Sequence, residues 1–450
     1  MWVGALLFPM DGGGARRGDL AIERSRIAAV SPPDPLPPWA DDPALRVDAS
    51  AAWMLPGFIQ THVHLCQTLF RGLAEGRRLY DWLSDVVWPL EAAHDAATMT
   101  VSAEVGVRQL LANGTTTILD MGTAHHTEAI AEVVASLGLR AHLGPVWMDR
   151  GPSEARGLIS DGATLWDRFE RFAARWDGES DGRIRAALCP RFVPSVSDAL
   201  WRSMTARPDL RRCLIHTHAS ETRAEVDDVR AETGQTPPRY LTSLPGVSGR
   251  LALAHGVWLS ADDRAALSEA KAGVTHCPSS NLKLGSGLAD VRALERAGVA
   301  VGLGADAAAC NNRLDPWVEL RQSALLEGLL HGPDAVDPAH ALWRATAGGA
   351  AVLGAVGELG VLRRGARADF LLLDPEADEA SLGQIEDSSS ALRESPESLL
   401  VYAGSARWVR ETWIDGRCVH RADDFDRAAL SARARAARTR LIALARRQPN

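Results

Sequence analysis

The chain has 450 residues, of which 46% are hydrophobic and 24% are charged, and its formal net charge at pH 7 is -8. This composition is ordinary for a folded globular protein and excludes a disordered or fibrous class. The acidic balance gives no broad basic surface for phosphate backbones, which argues against nucleic acid as a partner. A chain of this length can hold a barrel domain of about 250 residues and a smaller domain.

Cysteine usage and hydropathy both indicate a protein of the cytoplasm. The six cysteines are scattered, without a Cys-x-x-Cys pair or the density of a disulfide scaffold, which fits a reducing compartment. No stretch approaches the roughly 18 apolar residues of a membrane span, and the start, MWVGALLFPMDGG, lacks the basic region of a signal peptide. We expect a cytoplasmic protein with no membrane partner, and a homodimer is one compatible assembly.

The pattern of the chain changes at residue 56. Residues 1–55 carry short apolar runs broken by DGGG and SPPDPLPP, which predict the strands and turns of half a small β domain. In residues 56–358, strand-like apolar runs alternate with longer helix-like segments, which indicates parallel βα units. The strand-like runs are 57–64, 115–120, 140–147, 183–189, 213–218, 251–255, 273–276 and 300–306. Eight strands would close a (β/α)8 barrel, although periodicity alone also allows an open doubly wound sheet.

Helices are predicted between these runs, for example over 97–112 and 262–272, and again over 338–353. Residues 359–450 then return to β patterns, with a strand in GARADFLLLD and a hairpin around Asp415 and Gly416 in RWVRETWIDGRCVH. The acidic, serine-rich stretch 376–397 predicts a solvated excursion, and an Ala/Arg-rich helix follows from Phe425. We expect the late strands to complete the N-terminal β domain.

Imidazole and carboxylate groups stand at the ends of the predicted strands, where the active sites of barrels lie. They are His62, His64, His218, His255, His276 and Asp306. His62 and His64 are two residues apart on one strand and therefore point to the same face. Such ligands suit a zinc-like divalent ion, and three or four of them leave a position for water. His216 shares a strand face with His218 and is an alternative ligand.

Sequence motifs accompany these groups along nearly the whole chain. They are PGFIQTHVHLCQTLFRG, YDWLSDVVWPLE, NGTTTILDM, HTHASET, LAHGVWLS, THCPSSNLKLGSG, VGLGADAAACNNRLD, GARADFLLLD and IDGRCV. In these motifs the chain resembles the amidohydrolase superfamily, in the branch that holds guanine deaminase, the adenosylhomocysteine and methylthioadenosine deaminases, and the triazine hydrolases. The resemblance implies an α/β fold, namely a (β/α)8 TIM barrel with a small β-sandwich built from both chain ends.

The resemblance also implies a metal site. Its ligands would be His62, His64, His218 and Asp306. His218 is preferred over His216 because it is nearer the strand end and stands in an H-x-x-E pattern with Glu221. Relatives with two metals bridge them with a carboxylated lysine on the fourth strand, but the chain's two lysines, Lys271 and Lys283, lie elsewhere. We therefore expect one Zn²⁺ per subunit, with Fe²⁺ or Mn²⁺ as alternatives.

The implied reaction is hydrolytic deamination of a purine or related N-heteroaromatic compound, with release of ammonia. A bound divalent metal lowers the pKa of water from 15.7 to about 7 and so supplies hydroxide at neutral pH. By the resemblance, Asp306 takes the proton of the water and His255 orients the attacking hydroxide. Glu221 would protonate a ring nitrogen and assist departure of the amine.

Six residues are predicted to contact the substrate: Gln67, Trp82, Glu91, Arg191, His276 and Asn281. The amide of Gln67 can donate and accept at once, which suits the edge of a heterocycle. Arg191 stands in a Pro-Arg-Phe segment that resembles guanine deaminase, where the arginine contacts a ring carbonyl. Glu91 stands in WPLE, which resembles the nucleoside deaminases, where a glutamate holds ribose hydroxyls. The sequence thus leaves a guanine-like substrate and an adenosine derivative both open.

Two alternative functions remain at this point. One is a triazine-type hydrolase that displaces chloride or an alkylamine, since the attack needs only an activated ring carbon and a leaving group. Glu221 favours deamination, because an amine departs better once it is protonated. The other is a non-catalytic amidohydrolase-like scaffold, which the presence of every implied ligand makes the weaker alternative.

Overall fold

Eight parallel strands form the central barrel of the molecule. The computed structural model describes residues 1–377, 395–422 and 427–447 of the chain. The barrel strands, numbered first to eighth, are Phe58–His64, Thr115–Asp120, Arg140–Leu143, Ile184–Ala186, Ile215–Ala219, Leu251–His255, Gly273–His276 and Ala300–Leu303. The hydrogen-bonded order of these strands is fourth, third, second, first, eighth, seventh, sixth and fifth, and every neighbouring pair is parallel.

The sheet closes between its fourth and fifth strands. Leu188 donates its N–H to Leu214 O at 2.9 Å, and His216 donates to Leu188 O at 2.8 Å. Three strands continue in short extensions: Val146–Trp147 after the third, Cys189–Pro190 after the fourth and Asp306–Ala307 after the eighth. The closed ring excludes the open sheet that the sequence allowed, and the predicted barrel is confirmed.

Helices connect the barrel strands and begin where the sequence provides capping residues. The longer ones are Ala96–Ala112, Thr127–Leu137, Gly162–Trp176, Asp198–Ala206, Arg223–Thr233, Pro237–Ser243, Ala261–Glu269, Val291–Arg296, Pro316–His331 and Pro338–Trp343, the last continued by Arg344–Gly348 and Gly349–Val352. Asp95 caps the first of them by accepting the N–H of Thr98 at 2.8 Å. After the first strand, the chain crosses above the barrel in short helical pieces: Leu65–Phe70, Leu79–Trp82, Leu83–Val87 and Trp88–Ala92.

A second, mixed sheet is built from both ends of the chain. Its strands are Trp2–Leu7, Arg16–Glu23, Arg26–Ser31, Val47–Asp48, Trp53–Pro56, Phe370–Leu373, Val409–Ile414 and Arg417–Arg421. The two ends meet where Trp53–Pro56 pairs antiparallel with Phe370–Leu373. Val409–Ile414 and Arg417–Arg421 form the predicted hairpin. The division into segments 1–55, 56–358 and 359–450 stays a prediction.

The mixed sheet packs on the barrel through apolar and charged contacts. Phe58 of the first strand lies against Trp317, and Trp53 belongs to the same buried cluster. Arg140 at the start of the third strand is buried and pairs with Asp369 at 2.9 Å and Asp415 at 2.7 Å. The sheet therefore covers the end of the barrel opposite to the strand C-termini, which leaves those termini free to form a site.

The C-terminal helix, Arg427–Ala445, lies against Ala96–Ala112 and buries Leu441 there. Its Arg440 pairs with Asp95 at 2.5 Å. The start of this helix as predicted, at Phe425, and residues 378–394 of the predicted solvated stretch lie outside the described residues. Within the described ranges, no helix combines the length and the apolar composition needed to cross a bilayer.

Candidate active site

The C-terminal ends of the barrel strands bring four candidate metal ligands together. His62 and His64 project from the same face of the first strand, His218 from the fifth, and Asp306 follows the eighth. One ligand atom from each of the four lies within 4.8 Å of those of the other three. Asp306 Oδ1 is 3.1 Å from His62 Nε2 and 3.4 Å from His64 Nε2. His64 Nε2 is 3.3 Å from His218 Nε2.

The ring nitrogens of this cluster are arranged as a metal requires. His218 donates from Nδ1 to the backbone oxygen of Arg191 at 2.7 Å, which leaves its Nε2 as a lone pair facing the cluster. His62 Nδ1 is 2.8 Å from His216 Nε2, while the buried His62 Nε2 lies 3.1 Å from Asp306 Oδ1 without the geometry of a hydrogen bond. A buried polar atom without a partner is costly, and a bound cation would satisfy it. The donor set of three imidazoles and one carboxylate fits zinc.

Burial and charge set the protonation states that such ligands need. Burial lowers the pKa of His64 and of His218 well below the usual value, so that both rings are neutral. For Asp306, burial acts to raise the pKa, but the imidazoles of His62 and His255 outweigh it and hold that pKa well below its usual range. The site therefore presents neutral imidazoles and an ionised carboxylate, which are the metal-binding forms.

His216 lies behind the cluster. It belongs to the fifth strand, is fully buried and contacts His62 through the 2.8 Å nitrogen contact given above. It is absent from the group of four close ligand atoms. A histidine in this place can fix the ring orientation of His62.

Glu221 and His255 face the metal cluster from the fifth and sixth strands. Glu221 Oε2 is 3.6 Å from His255 Nε2, which in turn is 3.9 Å from Asp306 Oδ2. Burial raises the pKa of Glu221, so that its proton is retained to higher pH than in water. Burial acts to lower the pKa of His255, but the carboxylates of Glu221 and Asp306 raise it above the usual value. These are properties of groups that exchange protons.

Two of these residues hold an unusual backbone conformation. His255 has φ = 76° and Asp306 has φ = 58°, in the left-handed region that side-chain-bearing residues seldom occupy. His255 is the last residue of the sixth strand, and Asp306 begins the short extension after the eighth. Such conformations cost free energy and cluster at functional sites, where surrounding contacts enforce them.

A pocket leads from the barrel mouth to the cluster. Its lining consists of His64, Gln67, Leu79, Trp82, Leu83, Arg191, Phe192, His218, Glu221, Glu225, His255, Leu284 and Asp306. Three predicted substrate contacts, Gln67, Trp82 and Arg191, thus face the pocket. The apolar members form walls that suit a flat ring.

The predicted contact Glu91 lies behind the pocket wall. Its carboxylate accepts two hydrogen bonds from Arg191, at 2.6 Å and 3.2 Å, in a buried bidentate ion pair. Gln67 donates from Nε2 to the same carboxylate at 2.7 Å, while Gln67 Oε1 is buried without a partner. The pocket wall therefore offers an arginine held in place and one unsatisfied carbonyl oxygen.

His276 and Asn281 also lie outside the pocket lining. Asn281 accepts a hydrogen bond at Oδ1 from His255 Nδ1, at 2.9 Å. His276 is buried at the end of the seventh strand, and burial lowers its pKa to about 3. Asn281 is thus placed to fix the ring of His255, so that Nε2 faces Glu221.

Three polar residues of the site escaped the sequence reasoning. Ser280 donates to Asp306 Oδ2 at 2.6 Å, and Ser286 donates to Glu221 Oε1 at 3.1 Å. Glu225 lines the pocket and accepts the backbone N–H groups of Ser220, at 3.0 Å, and Glu221, at 2.7 Å. The two serines flank Asn281 in the motif THCPSSNLKLGSG, which was the available signal.

Comparison with known proteins agrees with this geometry. The sequence pattern of the amidohydrolase family matches this chain over residues 53–419. The 5-methylthioadenosine/S-adenosylhomocysteine deaminase of Haloarcula marismortui is 35% identical over 439 residues, covering 94% of this chain and 95% of that protein. The 5'-deoxyadenosine deaminase of Methanothermobacter thermautotrophicus is 34% identical, covering 93% and 92%. A zinc-bound adenosine deaminase structure from Xanthomonas campestris has a TM-score of 0.82 at 29% identity, covering 98% of both chains. The chain belongs to the amidohydrolase family.

Proposed function

We propose that this protein is a metal-dependent aminohydrolase that deaminates a purine or related N-heteroaromatic compound and releases ammonia. The observation that carries the proposal is the four-ligand cluster with Glu221 and His255 beside it, at the end of a pocket with apolar walls. The names of the relatives, which are deaminases of adenosine derivatives, support the same reaction.

One metal ion, Zn²⁺, is the proposed cofactor. The ligands that would hold it are His62, His64, His218 and Asp306. The unpartnered Nε2 of His62 and the zinc-bound neighbour support the assignment. The chain's only lysines, Lys271 and Lys283, lie outside the fourth strand, so the bridging group of two-metal relatives has no counterpart. Fe²⁺ and Mn²⁺ suit the same donors less specifically.

The side chains divide the proton transfers among them. When bound, the metal would supply a water of lowered pKa as the nucleophile. Asp306, ionised and facing the cluster, accepts the proton of that water. His255 is held by Asn281 and directs Nε2 toward the oxygen that adds to the ring carbon. Glu221 gives its proton to the adjacent ring nitrogen, and the proton held by Asp306 passes to the exocyclic amine. The C–N bond then breaks, ammonia leaves, and the added hydroxyl becomes a carbonyl by returning its proton to Glu221.

Recognition of the ring falls to Gln67 and Arg191. Gln67 Oε1 lacks a partner in the buried wall, so a substrate N–H would satisfy it. Arg191 offers donors to a ring acceptor while Glu91 neutralises its charge. An adjacent donor and acceptor match the edge of a purine or pterin, and Trp82 supplies a face for stacking. The sequence left a ribose role for Glu91 open, and its pairing with Arg191 favours a supporting role.

The triazine-type alternative uses the same nucleophile with a different leaving group. Chloride needs no proton to depart, whereas an amine does, so the buried and proton-retaining Glu221 favours deamination. A scaffold without catalysis would have no use for the neutral histidines and strained Asp306 of the cluster. We retain deamination as the function.

The cytoplasm is the proposed location. No disulfide joins any of the six cysteines, all of which lie in the described residues, and four of them are buried. Free thiols persist in reducing compartments. The homodimer stays a prediction.

Ammonia release tests the proposal. The zinc-loaded protein would be incubated with guanine, adenosine, 5'-methylthioadenosine, S-adenosylhomocysteine, a pterin and an aminotriazine, with His64→Ala as the matched inactive control. We expect ammonia from at least one purine-like compound and none with the variant. No release from any compound would contradict the proposed reaction, and chloride or alkylamine release from a triazine without purine turnover would support the alternative.

A further inference from the structure

One segment after the seventh strand contacts all three proposed acid–base groups. Residues 278–286 comprise the short helix Pro278–Lys283 and the turn that follows it. Ser280 Oγ donates to Asp306 Oδ2 at 2.6 Å, and Ser286 Oγ donates to Glu221 Oε1 at 3.1 Å. Asn281 Oδ1 accepts from His255 Nδ1 at 2.9 Å. A displacement of this segment would therefore misalign the three groups together.

A buried carboxylate outside the pocket anchors the segment. Glu319 lies on the helix Pro316–His331 and is 1% exposed. It accepts two hydrogen bonds from Ser279, from the backbone N–H at 3.0 Å and from Oγ at 2.5 Å. It accepts a third from Asn311 Nδ2 at 2.8 Å, and Asn311 also donates to Ala305 O, next to Asp306. Glu319 thus ties the segment to the loop that carries the metal-binding aspartate.

Within the described part of the chain, the Glu319 carboxylate has no ion-pair partner and accepts only these three hydrogen bonds. Moving an ionised carboxylate out of water is expensive unless hydrogen bonds satisfy it. Burial raises the pKa of Glu319 to about 7, although Ser279 and Asn311 act in the opposite direction. An apolar residue would serve better if packing alone were required. The three hydrogen bonds from Ser279 and Asn311 offset this cost.

We propose that Glu319 is a positioning residue for the reaction: by holding Ser279 and Asn311, it fixes Ser280 and Asn281 against Asp306 and His255. The inference rests on the proposed function only for the catalytic roles of Asp306 and His255. Ser280 and Asn281 follow Ser279 directly, so a shift of the anchor passes to them through the backbone. A displacement of about 1 Å in such a constellation can cost about 100-fold in rate.

The test compares Glu319→Gln with Glu327→Gln. Glu327 is a matched control because it is a buried glutamate on the same helix, paired with Arg344 at 2.5 Å and without contact to residues 278–286 in its hydrogen bonds. In Glu319→Gln an N–H₂ group replaces one carboxylate oxygen, so a donor faces the donors of Ser279 or Asn311 and at least one hydrogen bond is lost. We expect kcat at saturating zinc to fall about 10- to 100-fold, with KM near the wild-type value. Glu327→Gln should lower the melting temperature and leave kcat unchanged.

Hydrogen exchange provides a readout that needs no substrate. Amides of residues 278–286 should exchange faster in Glu319→Gln than in the wild type or in Glu327→Gln, because the anchor of the segment is lost. If the wild type turned over no compound, the proposed function would fail while hydrogen exchange still tested the anchor. Equal kcat in the two variants, or unchanged exchange over 278–286, would overturn the inference. Should Glu319→Gln not fold, Ser279→Ala removes a single donor and should lower kcat in the same way, with unchanged kcat counting against the proposal.

Discussion

Replacing Glu221 by glutamine separates proton transfer from metal binding. Glu221 is 3% exposed, accepts one hydrogen bond from Ser286 and stands outside the group of four metal ligands. Glutamine keeps the shape and can still accept from Ser286, but it has no proton to give. Positioned acid–base groups contribute about 10²- to 10⁴-fold, so kcat/KM should fall by that factor, which is about 2.7 to 5.4 kcal/mol of transition-state stabilisation.

The assay combines steady-state ammonia release with zinc analysis and a pH profile. Burial raises the pKa of Glu221, so its protonated form persists above the pH at which an ordinary glutamate ionises. Wild-type kcat/KM should therefore decline as pH rises through that raised pKa, and the decline should vanish in Glu221→Gln. The control is Glu232→Gln. Glu232 is exposed on the helix Arg223–Thr233, which begins two residues after Glu221, and pairs with Arg150, so its replacement should leave kcat/KM, zinc content and the pH profile unchanged. Full activity in Glu221→Gln, or loss of zinc, would refute the assignment.

Three further outcomes follow from buried contacts. Asn281→Ala leaves His255 Nδ1 without its 2.9 Å partner, so kcat should fall about 10- to 100-fold while zinc content, measured by atomic spectroscopy, stays constant. Arg191→Met leaves the buried carboxylate of Glu91 without its ion-pair partner, so the free energy of unfolding measured by denaturant titration should fall by about 3 to 5 kcal/mol. The double variant Arg191→Met/Glu91→Gln should recover part of that loss. Additive losses from the two substitutions would contradict the pairing. Burial raises the pKa of Asp120 from 3.8 to about 7. Because the folded protein holds this proton more tightly than the unfolded chain does, the stability that the protonated Asp120 contributes is fully present below pH 3.8 and is lost as pH rises through 7. Asp120→Asn should flatten that part of the melting-temperature profile, and an unchanged slope would exclude Asp120 as its source.

The barrel could be predicted from the sequence because its strands carry compact apolar runs, several of which end in a histidine or an aspartate. The prediction differed from the structure where strands bend: the run 300–306 divides at Gly304, and the run 140–147 divides at Gly144. A Cβ on Gly304 would lie 2.7 Å from His62 O, and one on Gly144 would lie 2.0 Å from Ala187 O. Such close approaches depend on neighbouring strands, which a local pattern does not describe.

The proposed metal ligands could be inferred because each lies near a strand end and stands in a motif that resembles the amidohydrolase superfamily. The partners of the other site residues could not, since they are set by contacts between distant segments. Glu91 and Arg191 are 100 positions apart, and only the fold shows that they pair. Asn281 was predicted to contact substrate, and its hydrogen bond to His255 depends on the packing of two neighbouring loops. Ser280 lies inside the motif THCPSSNLKLGSG, but the motif does not show which of its polar residues contacts Asp306 until that packing is known.

Zinc titration of the metal-free protein tests the central claim most directly. Protein stripped with a chelator would receive zinc in known amounts, with ammonia release from an accepted purine-like substrate as the readout. The account predicts no activity without metal and a linear rise that ends at about one zinc per chain. Among the described residues one set of four ligand atoms converges, and the other close group, His64, Cys66 and Glu91, shares His64 with it. Activity in the metal-free protein, or a rise that continues to two zinc ions per chain, would contradict it.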